Sequence, residues 1–427
     1  MIKFLLFFYN IAWAGAIPLL KCSPRVSLGW EQRTLRQASP GPFDIWIQAA
    51  SGGESLLSVM VLDHLESALP PATKLRVLAT SGTQQGIDSL NRGLARYGQD
   101  TRLEVTVAFF PFDAPQVMEK AFTLFSPKLA IIVETELWPG FLVTAKRRNV
   151  PVLLINGRMS KKSYPSYRRF RRFFRKYGPE RVWAISAADG ARFAEVLGSG
   201  RVEVINNLKF DRVMPGGNSP ANTAIAKLLP AQAPFVLLGS VRRQEEEKIF
   251  RAIADILGRR PDVVIGLFPK HIERAEHWLT LLRQAGINAV ERSAARGPCS
   301  PGTVIVWDLF GELAGAYALA NTAFVGGSLV ELGGQNFLEP LAFGLRPVIG
   351  RHWHNFAWVG REIVSCGLVR EVADETELVT TLLAAVQAGA SREEVLKQVR
   401  GFLAPRQGGT RQVCQHIIDK LHGLTAH

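Results

Sequence analysis

Short apolar runs alternate with helix-length amphipathic segments along most of the chain, and this alternation limits the possible folds more than any other feature. Helical patterns such as Ser55–Ala68 and Pro115–Phe125 separate the runs. In the first half these runs are Phe43–Ala50, Leu75–Thr80, Val105–Phe110, Leu129–Glu134, Val152–Asn156, Val182–Ser186 and Val202–Ile205. Because β-branched runs without polar alternation are typical of strands buried on both faces, the pattern predicts a parallel sheet covered by helices.

The alternation stops once and then restarts. Residues 214–222 are rich in Pro, Gly, Asn and Ser and predict a linker. Further apolar runs follow at Phe235–Gly239, Val263–Phe268, Val304–Trp307, Ala323–Gly326 and Pro347–Gly350, with helical patterns such as Glu245–Leu257 and Glu312–Leu319 between them. Two α/β units predict two doubly wound, Rossmann-like domains, over 25–213 and 223–427, that face a central cleft. We expect the C-terminal helix to pack back on the first domain, and ligands to bind beyond the carboxyl ends of the strands.

The charge balance favours anionic partners. The 51 Lys and Arg residues exceed the 37 Asp and Glu residues, giving +14, which suits nucleic acid, acidic lipid or a phosphorylated substrate, although a merely basic surface is equally compatible. Hydrophobic residues make up 47% of the chain, which predicts a packed core. The four cysteines (Cys22, Cys299, Cys366 and Cys414) are far apart and indicate neither a zinc site nor a disulfide framework.

The N-terminal segment carries no charge from Phe4 to Leu20, a length of 17 residues, where a membrane span usually needs about 20. Lys21 and Arg25 follow, as interfacial anchors often do. Residues 14–16 (Ala-Gly-Ala) resemble a signal cleavage site. A membrane anchor over 1–24, a signal peptide and an ordinary core helix are therefore the three interpretations.

A basic segment, Lys161–Lys176, contains eight basic residues and no acid. Phe170, Phe173, Phe174 and Tyr177 follow helical spacing, which predicts a basic amphipathic helix at an anionic membrane surface. The alternative is an aromatic face in the core with the arginines in solvent. Nucleic acid is disfavoured, because no recognition motif accompanies the basic residues.

Acidic residues follow two of the predicted strands in the first unit. In the segment Ser51-Gly-Gly-Glu54, a carboxylate at a helix start could act as a general base. Spacing alone, however, favours a capping box formed by Ser51 and Glu54. Glu134 and Glu136 follow another strand, where substrate groups and solvated loop acids are equally good interpretations.

In the second unit, the segment Pro269–Arg274 follows a strand and offers cations to a phosphate. The glycine-rich stretch Phe324–Pro340 contains four glycines, which allow a ligand to approach the backbone closely. Asn336 and Glu339 are three residues apart at a predicted helix start, suited to ribose hydroxyls and phosphate. The pattern is neither a Walker loop nor a dinucleotide fingerprint.

In joint order and spacing, these segments resemble the Kdo (3-deoxy-D-manno-octulosonic acid) transferases, a family of inverting GT-B glycosyltransferases. The resemblance covers about Trp46–Gly367. The matching stretches are Ser51-x-Gly-Glu54, Pro127-Lys-Leu, Glu134-Thr-Glu-Leu-Trp-Pro139, Asn156-x-Arg158-x-Ser160, Asn207-Leu-Lys-Phe-Asp211, Gly239-Ser240, Asp308-x-x-Gly-Glu-Leu313, Phe324-Val-Gly-Gly-Ser-Leu-Val330 and Gly333-Gly-x-Asn-x-Leu-Glu-Pro340.

The resemblance implies roles for individual residues. Glu54 would be the catalytic base. Acceptor binding would fall to Ser51, Glu134, Glu136, Arg158, Lys161 and Lys162, and donor binding to Lys209, Ser240, Pro269, Lys270, Gly311, Glu312, Gly327, Ser328, Asn336 and Glu339. The implied donor is CMP-Kdo and the implied acceptor is lipid A precursor, with no metal, cofactor or nucleic acid. Since such a donor is made in the cytoplasm, we expect an uncleaved anchor and a place on the cytoplasmic face of the inner membrane.

Several positions depart from the family pattern. The usual Asp-Thr-Met-Gly-Glu is Asp308-Leu-Phe-Gly-Glu312, Gln335 replaces a common histidine, and Val241-Arg-Arg-Gln-Glu245 replaces the common Thr-x-x-Gly-Glu. Because of these departures, a second hypothesis is a related transferase that uses another CMP-activated acidic sugar as donor or another glycolipid as acceptor. A non-catalytic, membrane-associated GT-B binding protein is a third hypothesis.

Overall fold

The computed structural model describes residues 2–98, 100–216, 223–389 and 391–425. Contacts divide the chain into two compact units, one formed by Met1–Arg212 with Arg406–His427 and the other by Val213–Pro405. Residues 217–222, most of the predicted linker 214–222, lie outside the described residues.

Strands and helices alternate through both units. The strands are β1 (Ile45–Ala49), β2 (Leu75–Ser81), β3 (Leu103–Phe109), β4 (Leu129–Val133), β5 (Val152–Gly157), β6 (Arg181–Ala184), β7 (Val202–Val204), β8 (Phe235–Val241), β9 (Val264–Pro269), β10 (Ala289–Glu291), β11 (Val304–Val306), β12 (Thr322–Val325), β13 (Pro347–Gly350) and β14 (Arg370–Val372). The α-helices are α1 (Ile2–Leu20), α2 (Pro24–Ser27), α3 (Trp30–Arg33), α4 (Gly52–Ala68), α5 (Gln84–Leu94), α6 (Pro115–Phe125), α7 (Pro139–Arg147), α8 (Tyr164–Arg169), α9 (Arg171–Tyr177), α10 (Ala187–Leu197), α11 (Thr223–Ala226), α12 (Glu246–Arg259), α13 (Ala275–Gln284), α14 (Leu313–Leu319), α15 (Leu338–Ala342), α16 (Glu362–Ser365), α17 (Glu375–Ala388), α18 (Arg392–Leu403) and α19 (Gly409–Thr425). Short 3₁₀ helices cover Ser199–Arg201, Leu208–Arg212, Arg243–Glu245, Ile272–Arg274, His354–Val359 and Ala404–Arg406.

The first unit is built on a parallel sheet with the strand order β3-β2-β1-β4-β5-β6-β7. Every residue of β1 and β4 is buried, because helices cover both faces of the sheet. The strand order reverses direction between β1 and β4, since the chain passes from β1 to β2 on one side and from β4 to β5 on the other. A crevice opens at such a switch point, beyond the carboxyl ends of the two strands.

The second unit repeats this plan, with the strand order β10-β11-β9-β8-β12-β13-β14 and parallel pairing. Its switch point lies between β8 and β12. The predicted pair of parallel α/β units is therefore confirmed. The short strands β10 and β14 were not predicted.

The N-terminal helix α1 packs against the first unit. The Tyr9 hydroxyl donates a hydrogen bond to Asp113 Oδ2 at 2.8 Å, and the ring centroids of Trp13 and Phe112 are 5.8 Å apart. None of the helices in the described part of the chain is long and apolar enough to cross a membrane. The anchor predicted over 1–24 is therefore not supported by the structure.

The basic segment forms two short helices, α8 and α9, rather than one amphipathic helix. The backbone leaves helical geometry at Phe170, where φ is −100° and ψ is 21°. Phe173 and Phe174 are buried in the core of the first unit, whereas Phe170 is 48% exposed. Most of the predicted membrane-facing aromatic surface is thus packed inside the protein, which corrects the amphipathic-helix prediction in favour of its alternative.

The C-terminal helix α19 completes the first unit. Asp211 accepts hydrogen bonds from the backbone N–H groups of Gly408 and Thr410, both at 2.7 Å, where the chain returns. Val413 and Ile417 of α19 are fully buried in the same core cluster as the residues of α4. Helix α19 therefore supplies part of the hydrophobic core of the first unit.

Replacing Ile417 with Ala should destabilise the first unit by about 2–5 kcal/mol, because it removes three buried carbon atoms from a tightly packed site. Urea unfolding followed by tryptophan fluorescence measures the change. The control is Arg411→Ala on the same helix, where the side chain is exposed and the change should stay within about 0.5 kcal/mol. Equal effects of the two substitutions would contradict the packing of α19 on this core.

Candidate active site

Three carboxylates follow the two strands that flank the switch point of the first sheet. Glu54 lies in the first turn of α4, which begins directly after β1. Glu134 and Glu136 lie in the loop that follows β4. Because β1 and β4 are neighbours, this topology brings acids 80 residues apart in sequence to one edge of one sheet.

The Glu54 carboxylate is held by groups at the end of β1. The Ala50 N–H donates to Oε2 at 2.6 Å, and the Ser51 hydroxyl donates to Oε1 at 3.1 Å. The Ser51 side chain accepts no hydrogen bond from the helix, so the capping box favoured by spacing alone is not formed. A carboxylate offers about four acceptor positions, so Glu54 retains capacity for a hydroxyl of a substrate.

Partial burial raises the pKa of Glu54 to about 7. The hydrogen bond from the Ala50 N–H lowers this pKa, but its effect is smaller than that of burial. The negative charges of Glu134 and Glu136 add to the increase. Burial also raises the pKa of Glu136, again with a contribution from Glu134. A carboxylate whose pKa lies near neutrality exchanges a proton readily at physiological pH, which is the requirement for a general base.

Glu134 is fixed by an ion pair with Lys209. The Lys209 Nζ to Glu134 Oε1 distance is 2.7 Å, and both side chains are largely buried. Glu134 has a φ of +62°, a left-handed conformation that is uncommon for a residue with a side chain. Such conformations concentrate at functional sites, where surrounding contacts maintain them. Lys209, predicted as a donor ligand, therefore lies in the first unit and neutralises one acid of this cluster.

The remaining predicted acceptor residues lie on exposed loops nearby. The Thr135 hydroxyl donates to the carbonyl of Arg158, which joins the Arg158 loop to the Glu134–Glu136 loop. Lys161 and Lys162 are exposed in the turn before α8 and form no ion pair with any residue that the structure describes. The backbone of Arg158 is thus bonded to the loop that carries the acids, through Thr135 between them, whereas no hydrogen bond or ion pair among the described residues links the two lysines to the acids.

The glycine-rich loop of the second unit begins at the corresponding switch point. It follows β12, next to Ser240 of β8, and Ser240 has a left-handed φ of +54°. Ser328 is completely buried; its hydroxyl donates to the Val325 carbonyl and accepts from the Gly350 N–H, both at 2.8 Å. The Ser328 side chain predicted to bind the donor is therefore occupied within the fold.

A buried carboxylate organises this loop from within. Glu245 accepts hydrogen bonds from the N–H groups of Gly327, Ser328 and Leu329 at 2.5, 2.9 and 2.9 Å, and it has no exposed surface. These amides are consequently not available to a phosphate. A ligand that approaches the backbone of this glycine-rich stretch, as the sequence predicts, would therefore meet no available N–H group at these three positions.

Sequence analysis assigned no role to Glu245, although a signal was present. Glu245 stands four residues before Ile249 and eight before Ile253, which are buried on the core face of α12. An acid in phase with the apolar face of an amphipathic helix needs buried hydrogen-bond donors, because an uncompensated buried charge is too costly.

Other predicted donor residues divide into accessible and structural groups. Lys270 is exposed directly after β9, whereas the preceding Pro269 is buried at the end of that strand. Glu312 accepts a bidentate pair from Arg292, at 2.8 and 2.9 Å, and the Trp307 indole N–H at 2.8 Å. The Glu312 carboxylate is therefore largely committed to the protein itself, next to Gly311 with its φ of +86°.

Asn336 and Glu339 flank the start of α15. Asn336 Oδ1 accepts the Leu338 N–H at 3.2 Å, and its side chain is exposed; Glu339 is partly buried. Since α15 has only five residues, its dipole adds little to anion binding. Within the part of the chain that is described, no three His, Cys, Asp or Glu side chains come close enough to hold a metal ion.

Two parallel α/β units with carboxylates and a glycine-rich loop at their switch points define the class: this is the architecture of the GT-B glycosyltransferases. A solved glycosyltransferase from Rickettsia africae is similar over 89% of this chain and 99% of its own, with a TM-score of 0.56 and 10% sequence identity. At that identity the likeness shows the fold alone.

Sequence comparisons support the resemblance to the Kdo transferases. A family model described as 3-deoxy-D-manno-octulosonic-acid transferase (kdotransferase) matches residues 27–212. The 3-deoxy-D-manno-octulosonic acid transferase of Bordetella pertussis is 28% identical over 97% of this chain and 99% of its own length. That of Haemophilus influenzae is 29% identical over 93% and 96%. The resemblance predicted from the motifs is confirmed: residues 27–212 match the Kdo transferase model, and relatives named Kdo transferases, which are glycosyltransferases, match almost the whole chain.

Replacing Glu245 with Ala should destabilise the second unit by about 3 kcal/mol or more, because three buried N–H groups lose their acceptor. Thermal and urea unfolding measure the loss. The control is Glu247→Ala two residues later, whose side chain is 85% exposed and which should change stability by no more than about 0.5 kcal/mol. A stable Glu245→Ala variant would contradict the role given to this carboxylate.

Proposed function

We propose that this protein is an inverting transferase that moves Kdo from CMP-Kdo to lipid A precursor. In the proposed reaction Glu54 removes the proton from an acceptor hydroxyl as that oxygen attacks the anomeric carbon of Kdo. The bond from that carbon to the CMP phosphate breaks, and CMP leaves. The names of the relatives support the sugar, and the resemblance supports the donor and acceptor.

One observation supports this mechanism most directly, namely the Glu54 carboxyl at the switch point of the first sheet. Its pKa of about 7 makes about half of the molecules competent as base near neutral pH. The hydrogen bonds from Ala50 and Ser51 fix the carboxylate in one orientation. A positioned base of this kind typically contributes about 10²–10⁴-fold to the rate.

For the donor, we propose that accessible side chains hold the nucleotide. Lys270 would neutralise the phosphate of CMP as it leaves, which lowers the energy of the developing charge. Asn336, which is exposed beside the glycine-rich loop, would bind a hydroxyl of the ribose. Because Glu245 occupies three amides of that loop, side-chain cations take on more of the phosphate binding than the loop backbone does.

We also propose that the protein works at the cytoplasmic face of the inner membrane. Arg168, Arg169, Arg171 and Arg172 are exposed and flank the half-exposed Phe170 in sequence. Each basic side chain close to an acidic leaflet contributes about 1 kcal/mol of attraction. Phe7, Phe8 and Leu19 of α1 add exposed apolar surface.

The function is tested by incubating the purified protein with CMP-Kdo and lipid A precursor and weighing the product by mass spectrometry. We expect a Kdo adduct with the wild type and a rate lower by about 10²–10⁴-fold for Glu54→Gln, which removes the base but keeps the size of the side chain. Binding of CMP, measured by calorimetry, should persist in this variant.

The matched control is Glu104→Gln, which removes the same charge from an exposed position of the first unit and should retain activity. A Glu54→Gln variant with wild-type turnover would exclude Glu54 as the base. Absence of any adduct with CMP-Kdo, but transfer from another CMP-activated acidic sugar, would instead support the alternative donor.

The pH dependence of transfer should follow ionisation of Glu54. Only the ionised form accepts a proton, so kcat should rise with pH through about 7 and fall away below it. Replacing Lys209 with Met leaves the charge of Glu134 uncompensated, which should move the midpoint to higher pH. The control Lys128→Met removes a comparable ion pair, with Asp44, and should leave the midpoint in place. If the midpoint of the pH profile is unchanged in Lys209→Met, the Lys209–Glu134 ion pair does not influence the pKa of Glu54.

A further inference from the structure

The first unit contains a pocket of about 220 Å³ beside the Glu54 segment. The carboxyl ends of neighbouring strands form one side of it, and α1 and α2 cover the other. Among the lining residues are Ala50, Gly82 and Phe110 at the strand ends and Trp13, Leu20 and Val26 in the cover. Pockets for complete small ligands usually measure about 300–1,000 Å³, so this pocket suits one part of a larger ligand.

The walls of the pocket are mainly apolar. Trp13 packs against Phe112 with ring centroids 5.8 Å apart, and Phe110 lies 6.4 Å from Trp138. Each of these four residues lines the pocket. A chain of methylene groups would gain about 0.8 kcal/mol for each group that it buries in such surroundings.

One cation, Arg33, lines this mainly apolar pocket. Arg33 is only 6% exposed, and its guanidinium donates to the carbonyls of Leu28, Gly82 and Phe110. It forms no ion pair with any described side chain. The guanidinium carbon also lies 4.5 Å from the centroid of the Phe109 ring. A buried cation held by neutral carbonyls and an aromatic ring favours a further oxygen acceptor, because these groups offset its desolvation only partly.

The two acids that line the pocket, Asp113 and Glu136, do not serve as this acceptor for Arg33. Asp113 accepts the N–H groups of Gly140 and Phe141 at 2.8 and 2.6 Å and the Tyr9 hydroxyl at 2.8 Å, so its oxygens are engaged elsewhere. Burial raises the pKa of Asp113 to about 7. Burial also raises the pKa of Glu136.

The pocket adjoins the proposed base. Ala50 lines the pocket, and its N–H is the group that donates to Glu54 Oε2. Glu136 also lines the pocket, and its charge contributes to the pKa of Glu54. An acceptor whose hydroxyl reaches Glu54 therefore has its neighbouring substituents at the mouth of this pocket.

We propose that the pocket binds the first segment of an acyl chain of the acceptor lipid, with Arg33 donating a hydrogen bond to the carbonyl oxygen that links the chain to the sugar. The proposal rests on the proposed function, since it assumes an acylated sugar acceptor. It assigns to α1 and α2 a role in acceptor specificity: they form the apolar side of a lipid subsite next to the reacting hydroxyl.

The test compares kcat/KM for lipid A precursor with kcat/KM for the same disaccharide after removal of its acyl chains, at one fixed detergent concentration. The wild type should prefer the acylated acceptor. Val26→Trp, which fills the pocket, should lower the ratio of the two values at least about tenfold, corresponding to the loss of about two buried methylene groups. Leu20→Trp fills the pocket from α1 and should act in the same direction.

The control is Ile11→Trp, an exposed position on α1 that does not line the pocket and should leave the ratio unchanged. Equal kcat/KM for both acceptors in the wild type would overturn the proposal without any variant. So would an unchanged ratio in a pocket-filled variant whose unfolding temperature matches that of the wild type. If the wild type transfers to neither acceptor, the proposed function fails instead, and the two failures are thereby distinguished.

Discussion

The site depends on the point at which each parallel sheet reverses its strand order. The chain leaves β1 and β4 in opposite directions, so no connection covers the carboxyl ends of these strands. In the first unit this edge carries Glu54 on one side and Glu134 with Glu136 on the other. In the second unit the equivalent edge carries Ser240 and the glycine-rich loop.

Placing three carboxylates at one edge has an electrostatic cost that also shapes the chemistry. Burial and mutual repulsion raise the pKa of Glu54 to about 7, while Lys209 pairs with Glu134. With one acid neutralised by a cation and another shifted towards protonation, the cluster avoids three full charges in a partly desolvated place. The near-neutral pKa of Glu54 therefore depends on the whole group of acids and on Lys209, rather than on Glu54 alone.

The glycine-rich loop illustrates a different use of a buried acid. Its amides at Gly327, Ser328 and Leu329 converge as they would around a phosphate, but the carboxylate of Glu245 occupies them. The loop is therefore shaped by the protein before any ligand arrives. The proposed nucleotide donor would then bind beside a loop whose amides need no reorganisation, which reduces the entropy lost on binding.

By itself, the sequence determined the two parallel α/β units, the strands β1 to β9 and β11 to β13, and the position of Glu54 at a helix start, because apolar runs and motif order are local properties. It did not reveal the strands β10 and β14, whose sequences Ala-Val-Glu and Arg-Glu-Val form no apolar run. Only the tertiary structure decided that Phe173 and Phe174 face the core, that Lys209 pairs with Glu134, and that Glu245 holds the glycine-rich loop. Each of these depends on residues distant in sequence, and the free energy of burial or ion pairing exists only once the fold has brought the partners together.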